Sequence, residues 1–178
     1  MFKRILENKP TVMKKIVPIF GDLTMEKLGL SDQQYKQVTE ETEIVFHLAA
    51  SLKLESPLKP AVEFNLTGTK HVLDVCKCMK KLISVIHLST AFCNSDQKVM
   101  EEKIYDWPQD PLDLIRCAEW MDVDSMEAIN NNLMAPHPNT YLYTKRLAEI
   151  LVRNEYSSLP ICIVRPSIGE NKFLYQNH

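Results

Sequence analysis

Hydrophobic positions along the chain fall into two kinds of run. Four short runs are rich in β-branched residues: IVPIF at residues 16–20, IVFHLAA at 44–50, LISVIHLS at 82–89 and ICIVR at 161–165. They are near-continuous rather than alternating, which predicts strands of a parallel sheet covered on both faces. Other runs repeat at about 3.6 residues and predict helices with one buried face. Between 58 and 79 the repeat collects Val62, Leu66, Thr69, Val72, Leu73 and Cys76. Between 140 and 156 it collects Tyr143, Leu147, Ile150 and Leu151. A third helix is marked by its start. Ser31 precedes DQQYKQVTEE as a cap, and Asp32 stands in the first turn, where the helix dipole favours negative charge.

The order is strand, helix, strand, helix, strand, long insert, helix, strand. That order predicts an α/β doubly wound parallel sheet in one domain, residues 1–168, followed by a tail of different character at 169–178. The insert, 94–139, carries Pro108, Pro111, Pro136 and Pro138 and two short helices near 113–120 and 125–132. Inserts of that length in compact domains tend to be caps or lids. In such sheets ligands lie beyond the carboxyl ends of the strands. Those ends are Gly21-Asp22, Ala49-Ala50, Ser89-Thr90 and Pro166-Ser167, mostly small or hydroxylated, as close approach by a ligand requires.

Composition narrows the class without changing this picture. The 178 residues are 45% hydrophobic and 25% charged with net charge −2, which gives no electrostatic reason to expect nucleic acid. No apolar run approaches the roughly 20 residues that span a bilayer, and residues 1–10 lack a signal-peptide core, so the expectation is an intracellular chain. The five cysteines (Cys76, Cys78, Cys93, Cys117, Cys162) lack zinc-site spacing and read as free thiols, with no metal site expected. Glycine occurs only at 21, 29, 68 and 169, and builds neither a Gly-x-Gly-x-x-Gly nor a Walker loop.

The candidate chemistry lies in PNTYLYTKRLAEI, residues 138–150, where Tyr141 stands four residues before Lys145. Alone the pair is a common coincidence, and a solvated helix face is the plain alternative. A phenol with a pKa near 10 is a poor proton shuttle at neutral pH, but a lysine one turn away favours phenolate and draws that pKa down. A strand-end hydroxyl, Ser89 or Thr90, would hold a substrate carbonyl beside the phenol. The hydride must come from a nicotinamide, because no side chain supplies one. Tyr143 has no lysine at the same spacing and reads as packing. His47 and His87 sit in apolar strands and read as hydrogen-bonded core histidines. The plain alternative for Asp22 is the start of a turn before the helix.

In order along the chain stand GD after a strand, HLAA, NLTGT, HLSTA, YLYTK and RPSI. This set resembles the extended short-chain dehydrogenase/reductase superfamily. VFHLAA, HLSTAFCN, EWMD, PNTYLYTKRLAE and IVRPSI narrow the resemblance to the alcohol-forming fatty acyl-CoA reductases, with their male-sterility type of NAD-binding domain. The similarity runs from about residue 6 to 168. It implies a Rossmann-like fold with Tyr141 as proton donor and Lys145 as its partner, also bonded to the nicotinamide ribose. Thr90, or less readily Ser89, would orient the substrate carbonyl. The resemblance also implies Asp22 beside the adenine, Ala49 and Ala50 along the ribose and pyrophosphate, Asn65 supporting the site, and Pro166 and Ser167 beside the nicotinamide. The cofactor so implied is NADPH. The substrate is a long-chain acyl-CoA, reduced through an aldehyde to a fatty alcohol and free coenzyme A.

Further implications concern the whole family member: membrane contact through a C-terminal region, a peroxisomal or endoplasmic-reticulum location, and possible homo-oligomers. A fragment alone would be cytoplasmic. The family opens with a strand, a TGxTGFxG loop and a second strand, and this chain matches only the part of the family C-terminal to them. The block GENKFLYQNH at 169–178 departs from the family's pattern. The expectation is therefore an incomplete sheet, lacking its first strand and glycine-rich loop, poorly stable and of little activity alone. Two other readings stand beside it. One is another extended reductase, such as a hydroxysteroid dehydrogenase or nucleotide-sugar epimerase, which would share the Tyr/Lys pair but not HLSTAFCN or EWMD. The other is a non-catalytic remnant or splice form.

Overall fold

The computed structural model describes residues 10–167. Ile168 and the divergent tail lie outside the described residues. Three strands, β1 (Ile44–His47), β2 (Ser84–Leu88) and β3 (Ile161–Val164), form a parallel sheet in that order. The register sets His47 beside His87 and His87 beside Ile163. The helices are α1 (Asp32–Glu41), α2 (Leu58–Ala61), α3 (Gly68–Lys77), α4 (Pro111–Trp120), α5 (Val123–Met134) and α6 (Thr140–Glu155). Side chains cap the starts of four of them, at α1 as the sequence predicts. Ser31 accepts from Gln34 N while the Gln34 side chain accepts from Ser31 N. Asp110, Asp122 and Asn139 do the same service for α4, α5 and α6, satisfying amides that have no partner inside the helix.

The helix expected over 58–79 is three joined pieces. Between α2 and α3 the backbone is π-helical at Val62–Thr67, a form that concentrates at functional sites. Its predicted face survives: Val62, Leu66, Thr69, Val72, Leu73 and Cys76 are all buried.

Two expectations about strands fail, for related reasons. Both crossovers step the same way across the sheet, so right-handed connections place their helices on one face. Val45, Val85, Ile161 and Ile163 turn to that face and join the core with Leu73, Leu147 and Leu151. The opposite face, with Ile44, Phe46, Leu48 and Val164, is open; Phe46 is 66% exposed. Burial therefore alternates along each strand, where cover on both faces was expected. The run 16–20 forms no strand at all. Pro18 removes a ladder donor at its centre, no described strand lies beside it, and Phe20 is 87% exposed.

The insert is packed rather than loose. Lys59 Nζ donates to the carbonyls of Ala118 (2.5 Å) and Met121 (2.8 Å), closing the end of α4, where a cation is favoured. Arg146 pairs with Asp96 at 2.6 Å and bonds Asp106 O, Arg153 pairs with Asp106, and Arg165 bonds Glu101 O and Lys103 O. With the sheet on one side and the insert on the other, α6 is buried nearly all round. Its buried residues include Lys145, Arg146 and Glu149, three charges that the helical period alone does not reveal.

Candidate functional site

The carboxyl end of β2 and the first turns of α6 meet at one point. Lys145 is 3% exposed, and its Nζ donates to Leu88 O at 2.5 Å. That bond fixes α6 one residue short of Ser89. Ser89 and Thr90 are buried where the chain leaves the strand. Ser89 N is anchored on Val164 O (2.8 Å), and Thr90 Oγ1 accepts from Phe92 N at 3.3 Å. Tyr141, one turn before Lys145, is half-buried. Tyr143 faces the other way, fully enclosed in the core.

Electrostatics in this corner follow from burial. Loss of solvent pushes Lys145 down to about 8. His47 is pushed down to about 4 and His87 well below its usual value, first by burial and then by the charge of Lys145. The Tyr141 phenol moves up, by burial and by Cys93, opposite to the sense expected from a neighbouring lysine. The physical reason is that the ammonium is engaged by Leu88 O, while the phenol is half out of water. The two histidines, expected as hydrogen-bonded core residues, divide. His47 Nε2 meets Thr69 Oγ1 at 2.9 Å, whereas both ring nitrogens of His87 are buried without a partner among the described residues.

Asn65 ties the second strand end into the cluster. From the π-helical stretch, its Nδ2 donates to Ser51 O (3.3 Å) and Thr144 Oγ1 (3.1 Å), and its Oδ1 accepts from Ser51 N at 2.8 Å. It thus joins the loop after β1, which carries Ala49 and Ala50, to the turn of α6 beside Lys145. Pro166 joins by backbone, its carbonyl accepting from Ala91 N at 3.0 Å. Ser167 comes next, at the exposed end of the described chain.

Asp22 stands differently. Its carboxylate accepts from Thr24 N (2.8 Å) and Thr24 Oγ1 (2.7 Å), and these bonds hold it below its ordinary value. It begins a tight turn, the alternative left open by the sequence, and is exposed. Gly21 is required there, since a Cβ would lie 2.8 Å from Leu28 O. The turn is fastened to α3 through Leu23, whose carbonyl meets His71 Nδ1 at 2.9 Å.

Sequence reasoning missed one group. Glu149, Arg165 and Cys93 form a buried cluster directly behind Ser89. The signal was present: Glu149 lies four residues past Lys145, on the same side of the helix.

A cavity of about 360 Å³ opens beside the start of α6, lined by Leu54, Glu127, Asn130, Met134 and Thr140 among others. A larger one, about 610 Å³, runs between β3 and residues 100–104. Neither is lined by Tyr141, Lys145, Ser89 or Thr90. Among the described residues no helix is long and apolar enough to cross a membrane.

Comparison with known proteins gives the chain its family and its fold class. An NAD-binding family profile described as "Male sterility protein" matches residues 1–169. Fatty acyl-CoA reductase 2 of Mus musculus is 39% identical over 168 residues, 94% of this chain and 33% of that protein. Fatty acyl-CoA reductase 1 of Homo sapiens is 38% identical over the same shares. The chain thus spans about a third of the length of these curated relatives. Among solved structures, the terminal R domain of the myxalamid PKS-NRPS biosynthetic pathway matches with TM-score 0.59 at 23% identity, covering 89% of this chain and 35% of that one. A thiolation-reductase di-domain from an archaeal non-ribosomal peptide synthetase matches with TM-score 0.55 at 19% identity, covering 90% and 29%. Both support the Rossmann-like α/β fold.

Proposed function

This chain belongs to the male sterility protein family of NAD-binding domains, and from that premise we propose that it carries the proton-transfer half of an NADPH-dependent fatty acyl-CoA reductase. The observation that carries the reading is the Lys145 bond to Leu88 O, which sets the helix of Tyr141 and Lys145 against the strand end that leads into Ser89 and Thr90. The residues fit a nicotinamide cofactor. A lysine ammonium has three donors and Leu88 O takes one, so donors remain for ribose hydroxyls. Ala49 and Ala50 leave room for close approach at the end of β1. Asp22 is an exposed carboxylate, open to an adenine. NADPH, when bound, supplies hydride.

The residues of this chain do the rest. Thr90 or Ser89 donates a hydrogen bond to the thioester carbonyl oxygen and holds it beside Tyr141. The phenol gives its proton to that oxygen as hydride reaches carbon. Lys145, held charged at neutral pH, stabilises the phenolate left behind. Loss of the coenzyme A thiol from the resulting hemithioacetal yields aldehyde. With the Tyr141 phenolate reprotonated from water between the two reductions, a second hydride and a second Tyr141 proton yield alcohol, so that each acyl-CoA would use two NADPH and two protons from solvent.

The test is acyl-CoA-dependent oxidation of NADPH by the intact protein, with the products separated as aldehyde and alcohol. Tyr141→Phe is expected to lower kcat by about 10²–10⁴ with little change in KM. No acyl-CoA-dependent oxidation, or full activity in Tyr141→Phe, rejects the reading. A second reading, that these 178 residues alone are inactive, is favoured by the open apolar face around Phe46. Micromolar NADPH binding with turnover by this chain alone rejects it.

A further inference from the structure

The reacting groups assigned above sit on three separate elements, and one buried carboxylate reaches all three. Glu149 lies on α6 one turn past Lys145 and is 1% exposed. Its Oε1 accepts from Arg165 Nε at 2.8 Å and from the Cys93 thiol at 3.4 Å, and its Oε2 accepts from Arg165 Nη2 at 2.7 Å. Cys93 lies 3.6 Å from Ser89 Oγ and 3.2 Å from Thr90 O. Arg165 directly precedes Pro166. A simple ion pair between α6 and β3 would need neither the thiol nor a place one turn from Lys145.

Glu149 also faces the lysine as a charge. β1 and β2 present His47 and His87 to Lys145, both kept neutral by burial. The turn after β2 presents Cys93, which burial and Glu149 push up to about 12, so it is a neutral thiol at working pH. From α6 come Tyr141 and Glu149. The segment after β3 brings Arg165, whose charge Glu149 binds directly. Against the burial that lowers Lys145 stand Cys93 first and Glu149 second; with the thiol neutral, the carboxylate of Glu149 is the charge that remains on that side.

Resting on the function proposed above, we propose that Glu149 is a positioning residue for the transfer. Through Cys93 it sets Ser89 and Thr90, through Arg165 it sets Pro166 and Ser167, and its charge keeps Lys145 protonated. It touches neither substrate nor cofactor.

In the intact protein, Glu149→Gln should lower kcat about tenfold with acyl-CoA KM within about twofold. The alkaline limb of the kcat profile should move down by about one pH unit, because Lys145 loses its proton sooner. Glu149→Asp, which keeps the charge, should restore the limb while the rate stays low. Cys93→Ser keeps a donor and should retain most of the rate, whereas Cys93→Val should lower kcat about threefold with the limb in place. If Glu149→Gln does not fold, Arg165→Gln carries the test: it frees the carboxylate charge, and the limb should move up. A limb that stays in place in a folded Glu149→Gln, with only a lower melting temperature, overturns the proposal.

The Lys145 ε-carbon titration, followed by NMR in ¹³C-lysine-labelled protein, reads the same shift without turnover. A protein that reduces no acyl-CoA would therefore reject the proposed function while this titration still decides the role of Glu149.

Discussion

Residues 16–20 and β3 are nearly the same peptide with two outcomes. IVPIF and ICIV share a β-branched, apolar composition. ICIV pairs with β2, buries Ile161 and Ile163 partly against α6 and the core, and ends at the segment that holds Arg165 on Glu149. IVPIF pairs with nothing described, and Val17 and Phe20 stand in solvent. The difference teaches that a strand is a relation between segments. Propensity supplies candidates, and a neighbour with free amides and carbonyls decides among them. The site divides along the same line. Its proton-handling groups hang from β2, β3 and α6, all mutually packed, while Asp22 hangs from the unpaired run.

Four measurements would break or sharpen that contrast. The largest effect is expected on the packed side, where Leu147 is fully enclosed: Leu147→Ala should destabilise by about 2–5 kcal/mol in urea unfolding. A loss below about 1 kcal/mol would mean the packed side is no firmer than the open one.

Next comes pH. The His47 imidazole is held at about 4 in the fold, against about 6.5 when unfolded, so the folded chain binds fewer protons between those values. Its share of stability is whole above about pH 6.5 and is lost as pH falls toward 4, with His87 acting in the same direction. Urea midpoints at pH 7.5, 6 and 5 should fall in that order, and His47→Gln should flatten the slope. A midpoint flat across that range refutes the buried neutral pair.

A smaller effect should follow Asp22→Asn. The turn keeps an acceptor for Thr24, so the urea midpoint should hardly move. The KM for NADPH in the intact protein should rise a few-fold if Asp22 meets the adenine. An unchanged KM would leave Asp22 as a turn residue and nothing more. The smallest change is expected from Phe20→Ser, within about 0.5 kcal/mol, since that side chain is already in water. A marked loss of stability there would show that residues 16–20 are covered in solution.

The periodic segments were legible because their information is local. Helices near 58–77, 111–120, 123–134 and 140–155, and three of four strands, followed from spacing, caps and β-branched runs. That Lys145 lies against the end of β2, where Ser89 and Thr90 follow, was legible from strand ends and one helical turn. The features that escaped depend on partners distant in sequence. The alternation of burial on the sheet comes from where the crossover helices lie. Lys145 engages a carbonyl 57 residues away, which is why the expected pull on the phenol of Tyr141 gave way to burial. Glu149 meets an arginine after β3 and a thiol after β2, and no single window of sequence contains all three.

The π-helical stretch at Val62–Thr67 makes the site depend on counting as well as chemistry. A π turn holds one residue more than the α turn it replaces. Deleting Phe64, whose side chain is partly in solvent, would narrow that turn to an α turn. The flanks would keep nearly the same facing, because the wide turn already takes up the extra residue. The change would fall on the wide turn itself, which holds Asn65 on Ser51 and Thr144. Loss of one amino acid, with no site residue replaced, would therefore act at the link between the loop after β1 and the helix that carries the lysine.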